Sequence, residues 1–369
     1  MRTSLAAAAL LCAAALPAQN QGITLTNGID GYVEIPYSAQ VVPQAGLTLE
    51  AWITYDDTTL PTGWRYPTVF RQNLNANTED YFLRVEANNN GARVLRWRIV
   101  TTVGIYDTFW PFLSGQLNTW THVAGSYDGT TSRFYVNGAQ VASIAASGTI
   151  LDRGGVLRIG KGSDIGGPIE VWNGSIDEAR MWPFGLTAAE VKGAMNARLS
   201  GMPGNVSTWN LDGAFVDSSS TLHATATGTV NFTSNVPVLQ SRPFLGAAFG
   251  ASSQGCLGAI PMALAGVATS GNAGFGLAAQ RVPAAAQSLL VLSPKGLPAP
   301  INLLGVGLWV DVLGSVTLGA TASPTGALHV SLPIPAGLIG SLAAQCFFVD
   351  TCGSQGLTAS NGLTFAIVP

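Results

Sequence analysis

The sequence predicts an all-β fold, with one antiparallel two-sheet sandwich over the first two-thirds of the chain and a second, smaller β-sandwich after it. Three observations carry this. The stretch Leu117–Val141 holds three short runs of aromatic and β-branched residues with no helical period, separated by Asp128-Gly129 and Asn137-Gly138. Both dipeptides tolerate the positive φ angles of tight hairpin turns, so the stretch reads as a three-stranded meander. Leu47 to Tyr55 alternates, with Leu47, Leu49, Ala51 and Ile53 on one face and Thr48, Glu50, Trp52 and Thr54 on the other. That is the period of a strand with one side on a core. Composition then shifts near residue 240: eight of the nine tryptophans precede it, and from Ser241 onward the charged residues are Arg242, Arg281, Lys295, Asp311 and Asp350.

The amino-terminal residues have another character. Met1-Arg2, a nearly unbroken Ala/Leu run from Leu5 to Leu16 and Pro17-Ala18 have the form of a secretory signal peptide over residues 1–18. The run falls short of the roughly 20 apolar residues that span a bilayer, and later apolar runs are broken by Gly, Pro or polar residues. The expectation is an exported chain, secreted or on the cell surface, with no transmembrane segment. Its formal charge is −3, or −4 once Arg2 leaves. That balance and the lack of a basic cluster argue against nucleic acid as a partner. Arg93, Arg96 and Arg98 come closest to a cluster, and their spacing suits one face of a strand.

Cys12 leaves with the signal, so Cys256, Cys346 and Cys352 remain, and export favours oxidation. Three cysteines allow three pairings, among which the sequence does not choose. Cys346–Cys352 would staple a short loop and is the pair carried forward as the expectation. Cys256 with either partner would close a loop of more than eighty residues, worth about 4–5 kcal/mol by chain entropy.

Within residues 20–236, further strands are expected at Thr68–Gln72, Tyr81–Ala87, Arg93–Thr101, Leu157–Gly160 and Ser175–Trp182. One helix is expected at Thr187–Ala197, because Thr187 and Glu190 form the Thr-x-x-Glu capping box that satisfies free N–H groups at a helix start. Residues 245–369 offer apolar strand candidates at Leu289–Leu292, Val306–Val312, Ala327–Leu332, Cys346–Val349 and Leu363–Val368. Asn235 to Pro243 is the natural boundary.

Several short motifs then occur in a fixed order: Gly31-Tyr32-Val33, Leu49-Glu50-Ala51-Trp52-Ile53, Trp120-Thr121-His122-Val123-Ala124, Tyr127-Asp128-Gly129, Tyr135-Val136-Asn137-Gly138 and Gly174 through Arg180. With the helix segment Leu186–Val191, the set resembles the laminin-G-like branch of the concanavalin A-like lectin/glucanase superfamily. The resemblance implies a jelly roll. It places Trp209–Asp212 and Asp217–Ser219 in closing strands beside the first strand. The last third resembles a carboxyl-terminal β domain of exported bacterial proteins, with no chemistry attached.

Candidate chemistry follows from residue types. Glycosidases need two carboxylates, commonly presented in this fold as Glu-x-Asp-x-Glu on one strand face. No such triplet occurs: Glu79-Asp80 with Glu86 lacks the alternation, and Asp177-Glu178 are neighbours facing opposite ways. No Gly-x-Ser-x-Gly elbow occurs either, and His122 reads as a packing residue. The expected function is therefore non-catalytic recognition of a glycan or extracellular protein surface, with a glycoside hydrolase or lyase, or a structural envelope component, as alternatives. Trp64, Tyr66, Trp110 and Trp172 lie in loop-like stretches and are the expected sugar-stacking residues. By resemblance, Asp30 and Asp177 are the expected ligands of a structural Ca²⁺, the alternative for Asp177 being a pair with Arg180.

Overall fold

The computed structural model describes residues 20–369 except 27–28, 59–62, 74–77, 89, 165–169, 201–206, 219–220 and 244–245. The expected signal peptide lies outside the described residues, as does Asn27-Gly28, a turn-type dipeptide expected to link the first two strands. The chain begins with β1 (Gly22–Leu25), β2 (Gly31–Ile35), β3 (Leu47–Ile53), β4 (Thr68–Gln72), β5 (Tyr81–Ala87), β6 (Arg93–Val100) and β7 (Ile105–Pro111). The meander follows as β8 (Thr121–Tyr127), β9 (Thr131–Val136) and β10 (Ala139–Ala145), then β11 (Leu157–Ile159) and β12 (Gly174–Trp182). Helix α1 (Ala188–Ala194) leads to β13 (Ala197–Ser200), β14 (Ser207–Trp209), β15 (Thr225–Gly228), β16 (Asn231–Thr233) and β17 (Gln240–Pro243).

These strands make two facing sheets. One runs β10-β9-β8-β3-β12-β1-β16, with β14 on β12; the other runs β15-β2-β11-β4-β5-β6-β7. Their inner faces share one core that includes Ile23, Leu49, Val85, Trp97, Val123 and Trp209. The meander turns as expected, with Asn137 at φ 48° and Gly138 at φ 74°. At Asp128 the carboxylate accepts the N–H groups of Thr130 and Thr131 at 2.9 and 2.8 Å.

Trp97 sets the spacing of the two sheets. Its indole lies on Gly125 of β8, where a Cβ would stand 2.2 Å from the ring, and its Nε1–H donates to Ser132 Oγ at 3.0 Å. A methyl group therefore does not fit at residue 125.

Helix α1 carries the expected box: Glu190 N–H donates to Thr187 Oγ1, and Glu190 Oε2 accepts from Thr187 N–H at 2.8 Å. The helix is shorter than the Thr187–Ala197 span expected, because Ala197–Ser200 leaves it to pair in parallel with β17. The closing strands also differ. Trp209 sits in β14 on β12, its ring buried and its Nε1–H bonded to Leu222 O at 2.8 Å. It is β16 that flanks β1, and β15 that flanks β2.

The last third contains β18 (Gly246–Phe249), β19 (Gln254–Gly255), β20 (Gly258–Ala259), β21 (Met262–Ala265), β22 (Gly276–Gln280) and β23 (Gln287–Ser293). It continues with β24 (Gly296–Leu303), β25 (Val306–Val310), β26 (Val316–Thr321), β27 (Ala327–Ser331), β28 (Gly340–Ser354), β29 (Leu357–Ala359) and β30 (Gly362–Ile367). A sheet ordered β18-β30-β28-β23-β26 packs on a three-stranded sheet, β21-β22-β27. Leu264, Phe275, Leu290, Phe348 and Phe365 fill the space between them.

The expected Cys346–Cys352 disulfide is not formed. Both residues lie on the single strand β28, where six residues extend about 20 Å, far beyond disulfide reach. Cys256 pairs with Cys352 instead, tying the β19–β20 ribbon to the end of β28 across a sequence separation of 96. Cys346 is a free thiol buried in the core, and that burial pushes its pKa up to about 12.

The two halves of the chain share a third apolar cluster. Ala124 and Tyr135 on the outer face of the first sheet, Trp182, Phe184 and Leu186, and Val191 of α1 pack against Ala263, Ala265 and Ala278 of the carboxyl-terminal region. Polar ties flank it: Thr325 Oγ1–H donates to Ala45 O at 2.6 Å, and His329 Nε2 stands 2.6 Å from Glu190 Oε1.

Two outcomes test this architecture. Gly125→Ala is expected to cost about 1–3 kcal/mol through overpacking against Trp97, read as a lower urea midpoint with an unchanged slope. A chain ending at residue 240 bares Trp182, Phe184, Leu186 and Val191, so it should melt at lower temperature and bind a hydrophobic dye that the full chain excludes.

Candidate functional site

The two outer faces of the jelly roll differ in kind. On the β3-β8-β12 sheet, the outward side chains are roofed by α1, β13 and the carboxyl-terminal sheets. Glu50 there is fully buried; its Oε1 accepts Trp182 Nε1–H at 2.8 Å and lies 3.2 Å from Arg180, while Oε2 is 3.3 Å from His122 Nε2. Burial alone would raise the Glu50 carboxyl, but His122, Arg180 and Trp182 outweigh it and hold it at about 2. Arg180 also pairs with Glu178 at 2.7 Å and donates to the carbonyls of Ala194 and Ala197. His122 is thus packed inside, and this face is closed.

The other sheet turns a continuous charged face outward. Alternation sends Tyr81, Leu83 and Val85 of β5 and Leu95, Trp97 and Ile99 of β6 into the core, which leaves Phe82, Arg84, Glu86, Arg96 and Arg98 on the opposite side. There, eight side chains form a chain of alternating sign. Glu170 lies 3.8 Å from Arg71, Arg71 3.3 Å from Glu79, and Glu79 2.7 Å from Arg98. Arg98 reaches Asp107 at 2.9 Å, Asp107 reaches Arg96 at 2.7 Å, and Glu86 takes both Arg96 and Arg84 at 2.6 Å. Asp107 is gripped by two guanidiniums at once, each donating from Nε and Nη2.

Aromatic rings support the cations. Phe82 lies fully buried beneath three of them: Arg84, Arg98 and Arg96, at 4.1, 5.2 and 5.6 Å from its centroid. Arg84 also covers Tyr66 at 4.5 Å, and Arg96 covers the exposed Phe109 at 5.1 Å. Such contacts favour a guanidinium over a ring face most where water is excluded.

A second chain adjoins the first. Asp30 pairs with Lys161 at 2.6 Å, Lys161 with Asp164 at 2.9 Å, Asp164 with Arg158 at 2.8 Å, and Arg158 with Glu34 at 3.0 Å. Arg158 stands opposite Arg71 in the β4–β11 register, so both chains occupy one face. Charge pairing sets the titration here. Burial pushes Asp107 up, but Arg98 and Arg96 outweigh it and hold the carboxyl below its usual range. Arg158 foremost, with Lys161, holds Asp164 at about 2. Glu170 is the exception, because burial raises it despite the Ser163 N–H and Arg71.

The expected residues divide. Trp64, 55% exposed, and Tyr66, under Arg84, border this face. Trp110 is not in a loop: it lies on β7, turned inward against the core, because the stretch Ile105–Pro111 forms the sheet's edge strand. Trp172 is fully buried, its ring tilted against Tyr55 at 5.0 Å and its Nε1–H on Thr54 O at 2.9 Å, and so is unavailable to a ligand. Asp30 and Asp177 are not brought together. Gly22 packs on Asp177 at one end of β1, whereas Asp30 follows the other end and is taken by Lys161. Arg180 selects Glu178 and Glu50 rather than Asp177. The two acids therefore do not fit a shared calcium ion.

Residues 27–192 match a laminin-G-type family model described as the Concanavalin A-like lectin/glucanases superfamily. The jelly roll is accordingly concanavalin A-like, with additional β sheets in the carboxyl-terminal region. No curated protein matches the chain. Among solved structures, it is similar to a heptameric SAP-like pentraxin from Limulus polyphemus, at 15% identity over 59% of this chain and 96% of that one, with a TM-score of 0.40. It is also similar to the CBM40 of a Ruminococcus gnavus IT-sialidase bound to α2,3-sialyllactose, at 16% identity over 48% and 98%, with a TM-score of 0.37. Domain 4 of an extracellular GH43 arabinanase from Geobacillus stearothermophilus, in complex with arabinotriose, is 18% identical over 47% and 86%, with a TM-score of 0.33. These are likenesses of fold.

Asp177 yields a test of its own. It is fully buried with Oδ2 unpartnered, and burial first, then the Glu178 carboxylate, raise its pKa from 3.8 to about 8. A raised folded-state pKa gives stability that is complete below the unfolded value and lost as pH climbs through about 8. Asp177→Asn should therefore leave stability at pH 4 nearly unchanged and raise it increasingly between pH 5 and 9, measured as melting temperature against pH.

Proposed function

We propose that the outer face of the β2-β11-β4-β5-β6-β7 sheet binds glycans, and that the chain acts as a non-catalytic recognition protein. The observation that supports this most is the eight-membered alternating chain of Arg71, Arg84, Arg96 and Arg98 with Glu79, Glu86, Asp107 and Glu170. Its four cations and four anions cancel, so the array offers fixed donors and acceptors without a net field that would select an anionic chain. Sugar hydroxyls both donate and accept, and the flanking rings of Trp64, Tyr66 and Phe109 supply flat apolar surface for sugar faces. The description of the matching family spans lectins and glucanases. The pairing of Glu86 and Asp107 supports binding without hydrolysis, since a carboxyl held low by guanidiniums is a poor proton donor.

Export is part of the same proposal. The Cys256–Cys352 disulfide suits an oxidising compartment, and among the described residues no helix is long and apolar enough to cross a membrane. The surroundings would then present polysaccharide or cell-surface glycan to the open face.

Affinity electrophoresis in a panel of soluble polysaccharides tests the reading. At least one is expected to retard the full chain, and Trp64→Ala or Phe109→Ala should each weaken that binding about tenfold, the scale of one lost aromatic contact. Retardation unchanged by either variant would place binding elsewhere. Release of reducing sugar, abolished by Glu170→Gln, would move the protein to the glucanase side, because at Glu170 burial outweighs the Ser163 N–H and Arg71 and raises the carboxyl, whereas at Glu86 and Asp107 the arginines prevail.

A further inference from the structure

A cleft of about 390 Å³ lies in the seam between the jelly roll and the carboxyl-terminal region, and it shares no residue with the open charged face. One wall comes from the β2–β3 loop and the β10–β11 connection, which supply Gln40, Gln44, Thr149 and Asp152. The other comes from Gln280-Arg281 after β22 and from Leu257 at the turn of the β19–β20 ribbon. Clefts of roughly 300–1,000 Å³ at the junction of two domains are preferred places for small molecules.

The two walls are held in place by bonds outside the cleft's own polar lining. Thr325 Oγ1–H donates to Ala45 O at 2.6 Å, Gln280 Nε2–H donates to Pro183 O, and the Cys256–Cys352 disulfide anchors the ribbon next to Leu257. The side chains of Gln40, Gln44 and Arg281, by contrast, make no hydrogen bond or ion pair among the described residues. Asp152 accepts Tyr37 Oη–H at 2.9 Å on one oxygen and the Gly154 N–H at 3.0 Å on the other, and each oxygen can accept once more. Charge is scarce beyond residue 240, where Lys295 and Asp311 pair with each other at 3.2 Å. Arg281 instead stands at the seam, across from a carboxylate with which it does not pair.

We infer that this cleft binds a small sugar acid, with its carboxylate on Arg281 and its hydroxyls on Gln40, Gln44, Thr149 and Asp152. A guanidinium meets a carboxylate through two parallel hydrogen bonds. Amides and the Thr149 hydroxyl both donate and accept, as sugar hydroxyls do, and the Asp152 carboxylate takes a hydroxyl proton. One cation facing one anion also limits the charge of the ligand. A dianionic phosphate would gain a single guanidinium and be repelled by Asp152. Pro43 and Leu257 supply apolar surface for the C–H face of the ring.

Isothermal titration of the full chain with glucuronate and galacturonate tests this, with glucose, galactose and glucose 6-phosphate as controls. At least one uronate is expected to bind, about tenfold or more tighter than its neutral parent sugar and than the phosphate, the scale of one charge-assisted hydrogen bond. Arg281 has φ 57°, a conformation that asparagine tolerates, so Arg281→Asn removes the charge and keeps the turn. That variant should bind the uronate no better than the neutral sugar while its melting profile stays unchanged. Trp64→Ala, a change on the open face, should leave uronate binding as it is, so the two sites stand or fall separately. Silence with both uronates, equal affinity for a uronate and its neutral parent, or uronate binding that survives Arg281→Asn overturns the inference.

Discussion

A guanidinium with no access to water is the constraint around which the larger sandwich is arranged. Arg180 is 1% exposed and lies on the outer face of a sheet, where solvent would ordinarily hydrate it. It is held by Glu50 of β3, Glu178 of its own strand and the carbonyls that leave α1. Removing one partner from such a group strands a buried charge, at a cost of about 3–5 kcal/mol. The strand even departs from regular pairing to make the contact: Glu178 sits at φ 49° within a register shift between Asp177 and Arg180. With these charges paired from within, α1 and the alanine-rich strands β21 and β22 can lie flat on that face.

Covering one sheet determines what the other can do. Both outer faces of the jelly roll carry acids and arginines, yet on the first they are roofed by other elements, and on the second they pack against one another with 3–21% of each side chain exposed, Arg71 and Glu79 being the most buried. The rings beneath them, Phe82 above all, stiffen a layer that would otherwise be a set of mobile long side chains. A preordered polar surface loses little entropy when a ligand arrives. The same pairing lowers the carboxyls of Glu86 and Asp107, in each case because the neighbouring arginines outweigh burial.

Much of this fold could be read directly from the chain, and the reason is locality. The meander, its two turns and the capping box of α1 depend on residues within a few positions of one another, and they appear where the alternation and the turn dipeptides put them. The proposed binding face was less legible. Of the three arginines expected on one strand face, Arg96 and Arg98 share it, whereas Arg93 lies an odd number of residues from Arg96 and turns to Asp57 instead. The partners of Arg96 and Arg98 are remote: Glu86 and Asp107 come from neighbouring strands and Glu79 from the β4–β5 connection, and Glu170 meets Arg71 from almost a hundred residues away. Sequence exposes the period of a strand and not the identity of its neighbour across a sheet. The same limit explains Trp110 and Trp172, since aromatic content near Gly and Pro resembles a loop until the edge strand and the core that absorb them are seen. The disulfide failed for the converse reason: cysteines close in sequence were kept apart by the extension of one long strand.

The placement of the first and last strands has a mechanical meaning. β1 lies between β12 and β16, and β30 lies between β28 and β18, so each end of the described chain is clasped on both sides by backbone hydrogen bonds. Tension applied along such a strand must shear two ladders together instead of peeling one from a margin. A protein tethered at either terminus while its flank grips a surface would therefore resist pulling through its most deeply embedded elements.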